Sequence, residues 1–158
     1  MFFFHKKPEF SILRRMSVAK SIGLALGLLA GFIVAPLYLG TGLTLPLQWG
    51  LLFWGLTFGA IIGLAGVITR CPVWQNCPLY RSAGWRPIFR GGFIGAWLEM
   101  VGVLLMGDMI KDVMCSFAGW EVSTSFLLIG AVIEGFIFGA FIDWVSTKLG
   151  GEGKSLLV

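Results

Sequence analysis

Apolar residues fall into four runs long enough to cross a bilayer, which takes about 20 helical residues. They cover residues 18–39, 47–69, 91–110 and 125–145. Small residues recur every four positions inside each run. The first carries Gly23, Gly27 and Gly31, and the second Gly55, Gly59 and Gly63. The third carries Gly91 and Gly95 with Glu99 next in the series; the fourth carries Ala131, Gly135 and Gly139 with Asp143 next. Four-residue spacing puts each set on one helix face. Lipid supplies little hydrophobic force between helices, so association depends on close backbone approach, which small side chains permit. The pattern predicts an all-α, four-span transmembrane bundle of glycine-striped helices. Gly50, Gly66, Gly92, Gly102 and Gly130 give some helices a second small face, which points to packing against other chains as well.

The links divide the chain into a basic flank (1–16), a four-helix domain (17–146) and a tail (147–158). The link around Thr41 and Gly42 is short and makes a tight hairpin of the first two spans. The link from 70 to 90 is polar and holds Pro72, Pro78 and Pro87. Charge alternates along these segments. The flank carries Lys6, Lys7, Arg14 and Arg15, with Lys20 just beyond it, and the middle link carries Arg70, Arg81, Arg86 and Arg90 without an acid. The third link, with Asp108, Lys111, Asp112 and Glu121, is net negative. The positive-inside rule then puts both termini and the middle link on the cytoplasmic or matrix side. The flank reads as an orienting segment; it has some likeness to a matrix-targeting or interfacial helix.

Composition strengthens this picture. Apolar residues make up 57% of 158, and charged ones 13%, about half the share of an ordinary soluble domain. Mean hydropathy is +0.88. A chain of this size cannot hide so much apolar surface in its own core, so lipid must cover the excess. The formal charge of +4 sits beside the spans and reads as a topology signal rather than a nucleic-acid footprint. The single histidine, His5, leaves this chain without a bis-histidine haem site, a His-Glu-x-x-His zinc site or a Ser-His-Asp triad. No enzyme activity, cofactor or metal is expected.

Glu99 and Glu134 fall near the middle of the third and fourth runs. A carboxylate there costs on the order of 2.5–3.5 kcal/mol on insertion scales, so each needs a reason. In a symmetric hairpin of the two spans they sit at similar depth. They are expected to be protonated and hydrogen-bonded between helices, or to meet water, or to meet a cation on another subunit. Asp143 reads as an interfacial residue paired with Arg90 or Lys148.

Cys71 and Cys77, each followed by proline, lie in the middle link, on the reducing side by this topology, so a disulfide is not expected. Trp49, Trp54, Trp74, Trp85, Trp120 and Trp144 suit an aromatic belt at the span ends, while Trp97 lies deeper. Pro36 is tolerated near the end of the first helix as a kink or stop.

The glycine-striped spans, the shared side of the termini and the basic middle link together resemble the mitochondrial inner-membrane protein-import channel family, which includes an accessory subunit of respiratory complex I. Gly130-Ala131-Val132-Ile133-Glu134-Gly135 looks like that family's Gly-Val-Ile-Glu-Gly stretch. Arg90-Gly91-Gly92-Phe93-Ile94-Gly95-Ala96 is similar to its glycine-rich third-span entry. The resemblance implies the mitochondrial inner membrane; a bacterial inner membrane is the alternative to it. It matches Glu134 to an acid that lines a cavity for cationic preproteins in translocase members. The family's middle-link Asp, four residues after an Arg, has no counterpart here, which turns the implication toward an accessory subunit. The expected function is a noncatalytic membrane subunit whose partners are lipid and other subunits or copies of itself, with no nucleic acid. The alternative is a proton- or cation-conducting channel or rotor-type proteolipid using Glu134 and Glu99.

Overall fold

The computed structural model describes residues 12–39, 45–67, 85–119 and 121–151. The described residues are helical apart from short turns and caps. Helix α1 spans Ile12–Leu29 and runs through a π-helical turn, Ala30–Val34, into α2, Ala35–Leu39. Helix α3 spans Leu45–Ala65, α4 spans Arg86–Ala118 and α5 spans Thr124–Gly150. Four helical rods are long and apolar enough to cross a membrane, the first being α1 with its continuation to Leu37. Among the described residues the protein is all-helical, with four candidate membrane spans.

The π turn has a cause in the sequence. Pro36 has no N–H to give to the carbonyl of Phe32, and its ring would press on that carbonyl in a regular helix. The backbone widens instead, and the N–H of Ala35 reaches back five residues to the oxygen of Ala30.

The helices outrun the apolar patterns that announced them. Helix α1 starts six residues before the first apolar run, so Arg14 and Arg15 of the basic flank are helical. Helix α4 has 33 residues, about 50 Å at 1.5 Å per residue, against a hydrocarbon core of about 30 Å. Apolar character marks the part of a helix that meets lipid; the helix itself continues through polar residues to its caps. Gly119, at φ 66°, closes α4 with its N–H on the Cys115 carbonyl. Ser123 then opens α5 by accepting from the Phe126 N–H at 3.2 Å.

Packing is densest within two hairpins, α1 with α3 and α4 with α5. In the first, a Cβ added to Gly23 would run into the Gly55 carbonyl, one on Gly27 would meet Leu51 and Leu52 backbone, and one on Gly59 would meet Ala19 backbone. Gly31 faces Gln48, and Gly63 faces Ala19 and Met16. In the second, Gly91 abuts Gly139 and Asp143, and Gly95 abuts Gly135 and Gly139. The hairpins meet over a core of Ala19, Phe58, Ile62 and Ile142, flanked by Trp54, Ile94, Leu98 and Phe138. A second cluster, Val103, Leu127 and Ala131, joins α4 to α5 farther along.

Candidate functional site: a buried charge cluster and a pair of mid-span carboxyls

The four-residue repeat of α1 continues backwards from Gly27, Gly23 and Ala19 to Arg15, and all four are buried. Arg15 is fully buried, as is Asp143 of α5. Two glycines make the room: a Cβ on Gly66 would strike the Arg15 guanidinium, and one on Gly150 would strike its backbone. Arg15 Nη2 donates to Asp143 Oδ1. Its Nε donates to the Gly63 carbonyl at 2.9 Å, and its Nη1 donates to Thr147 Oγ1 at 2.9 Å and to the Gly151 carbonyl at 2.6 Å. One side chain therefore holds buried carbonyls at the ends of α3 and α5 and a carboxylate at the same time. The guanidinium fork, with its fixed donor directions, is suited to this in a way an ammonium is not.

Asp143 accepts from a second arginine. Arg90, in the first turns of α4, donates from Nε to Oδ2 at 2.7 Å and from Nη2 to Oδ1 at 2.9 Å. Nη2 also reaches Thr147 Oγ1 at 3.3 Å. Helices α1, α4 and α5 thus converge on one carboxylate, and α3 joins them through the Gly63 carbonyl that Arg15 also holds. No buried side-chain nitrogen or oxygen among the described residues lacks a hydrogen-bond partner. The expected pairing of Asp143 with Arg90 is present. Asp143 is wholly enclosed by the chain, and the alternative partner, Lys148, is exposed. Arg15 is the member that pattern reading missed.

The mid-span acids differ from one another. Glu99 is half-buried, and its Oε1 accepts from Trp54 Nε1 at 3.0 Å. Its side chain lies against Gly135, the residue after Glu134. Trp54 therefore packs against the core and bridges α3 to α4, and is not part of an aromatic belt at a span end; a Cβ added to Gly102 would come within 3.3 Å of its ring. Glu134 is exposed on α5 and makes no hydrogen bond or ion pair with a described residue. The picture of two enclosed acids holds for Glu99 only in part and not for Glu134, because the face of α5 that carries Glu134 turns away from both hairpin seams.

Among the other singled-out residues, Gly92 faces the Phe136 ring, while Gly50 and Gly130 face open space. Trp97 is exposed on α4. Arg86 is half-buried at the start of α4. Arg70, Arg81, Cys71 and Cys77, the flank before residue 12, the first link at 40–44 and the tail beyond 151 lie outside the described residues. No group of three or more metal-ligating side chains occurs among the described residues.

The fold and these sites define a class: a helical protein with four candidate membrane spans among the described residues, its hairpins joined at one end by a buried Arg–Asp–Arg cluster and farther along by a Trp–Glu hydrogen bond. No protein-family model, curated protein or solved structure matches the chain.

Proposed function

We propose that the protein is a noncatalytic integral membrane subunit that packs through glycine faces into a larger membrane complex, of the respiratory or protein-import type. In this reading the Arg15–Asp143–Arg90 end faces the matrix or cytoplasm, as the positive-inside rule implies. The likeness of residues 130–135 and 90–96 to the import-channel family supports the mitochondrial inner membrane.

The observation that carries the reading is the unequal use of the glycines. Most sit where a Cβ would collide with a neighbouring helix of the same chain, whereas Gly50 and Gly130 meet nothing within 4 Å. A glycine on an open helix face gives up helix propensity of about 1 kcal/mol relative to alanine and returns none of it through internal packing. A neighbouring subunit laid flat on that face would return it. Native electrophoresis of the mildly solubilised protein tests this. The wild type should migrate in an assembly larger than one 17.2 kDa chain. Gly50→Leu should disperse that assembly without unfolding the chain. A wild type that runs as an isolated chain overturns the proposal.

A second reading, a proton or cation path through Glu134 and Glu99, is favoured by the placement of the Glu99 side chain against Gly135, next to Glu134. It requires Glu134→Gln to abolish flux in reconstituted liposomes. The subunit reading requires wild type and variant to be equally tight.

A further inference from the structure

We infer that the face of α5 around Glu134 is the seat of a transmembrane helix of a different protein, one that presents a lysine or arginine at the depth of Glu134. The inference rests on the subunit reading and names the chemistry of the partner.

Glu134 lies ten residues from the start of α5 at Thr124 and sixteen from its end at Gly150. It is exposed there, without a hydrogen-bonding or ionic partner among the described residues. The acids and bases that the fold buries are instead matched within the chain: Arg15 and Arg90 hold Asp143, and Trp54 holds Glu99. Gly130, one turn before Glu134 on the same face, leaves a flat place on which a helix backbone can lie. Phe126, Ile133, Ile137 and Phe141 flank the pair and are exposed and apolar. This face is therefore apolar and carries one carboxyl, and the complement of such a surface inside a membrane is an apolar helix with one cation.

A second copy of this chain does not meet that description. Copies inserted in the same orientation and related by a two-fold axis along the membrane normal would bring Glu134 against Glu134 at equal depth. Nor can a copy supply a cation there from its described residues. On α1 none lies beyond Lys20, α4 has Arg86, Arg90 and Lys111 near its ends, and α5 has Lys148 in its last turn. The partner must bring the charge.

Photo-crosslinking in the native membrane decides the matter. A benzophenone amino acid replaces Ile137, one turn from Glu134 on the exposed face, and in a control chain replaces Leu105 on α4. The Ile137 probe should yield a protein adduct whose mapped peptide is an apolar span containing a lysine or arginine. Glu134→Gln should lower that adduct about tenfold and leave the Leu105 products unchanged. Glu134→Lys should abolish it, and reversing the mapped cation to glutamate in the partner should restore it, which separates a charge contact from misfolding. An adduct with lipid alone, with a second copy, or with a span lacking a cation overturns the inference, as does a yield indifferent to Glu134→Gln. If the wild type still migrates as a large assembly in those cases, the subunit reading survives and this inference alone fails.

Discussion

Arg15 shows how a residue's role depends on phase rather than on neighbours. It lies among flanking basic residues in the sequence and reads as part of an orienting segment. Its position four residues before Ala19, and eight and twelve before Gly23 and Gly27, places it on the packed face. That phase was legible, as it was for Asp143 four residues after Gly139. What the sequence did not show is that the two series, from helices far apart in the chain, end at the same place. Trp54 departs from the expected belt for a related reason: its distance from the span end says nothing of which way its ring turns. The energetic consequence is direct. Removing one partner from a buried ion pair leaves charge without compensation, at about 3–5 kcal/mol. Asp143→Asn should therefore lower stability by about that amount, read by unfolding in mixed detergent micelles. Arg15→Lys should also be destabilising, because an ammonium cannot follow the fork that reaches Gly63, Thr147, Gly151 and Asp143 together. Lys148→Ala, at an exposed site, should fall within about 0.5 kcal/mol of the wild type.

At the scale of elements, the hairpins were the most readable part of the chain. Four-residue glycine spacing identifies a helix face without any knowledge of its partner, and close approach follows from the absence of Cβ. The pairings themselves, Gly23 with Gly55 and Gly95 with Gly135, required the structure, because a stripe does not name what it packs on. The helix ends were poorly legible, since hydropathy reports lipid contact and not backbone hydrogen bonding. The same reasoning sorts glycine substitutions. Gly59→Leu drives a side chain into the backbone of α1 at Ala19 and should destabilise the first hairpin by at least about 1–3 kcal/mol, the range of overpacking. Gly130→Leu meets open space and should leave the unfolding midpoint of the isolated chain nearly unchanged. Unfolding of the two variants side by side in the same detergent separates packing within the chain from packing against other chains. If Gly59→Leu proved as harmless as Gly130→Leu, the close seam between α1 and α3 would be wrong.

At the scale of the molecule, the two ends of the bundle differ in chemistry, and the difference makes the orientation testable. One end gathers Arg15, Arg90, Asp143 and Thr147, with Lys148 exposed in the last turn of α5. At the other, the 33-residue α4 carries Asp108, Lys111 and Asp112 toward its cap at Gly119, and Cys115 is exposed in the last turns of the same helix. The charge imbalance between links predicts that the arginine-rich end faces the matrix or cytoplasm, because translocating arginines across the membrane is disfavoured. A membrane-impermeant maleimide added to intact organelles or cells should then modify Cys115, the exposed thiol on α4. A chain with Cys115 replaced by serine and Lys148 by cysteine should react only after the membrane is opened. Cys71 and Cys77 belong to the link between α3 and α4 and should behave like position 148. They are changed to serine in both chains so that each reports a single site. Labelling of position 148 and not of Cys115 in sealed membranes would invert the topology, and with it the assignment of the Arg15–Asp143–Arg90 cluster to the inner side. The fold would survive that result, because the hairpin seams and the cluster are set by contacts within the chain and not by the direction of insertion.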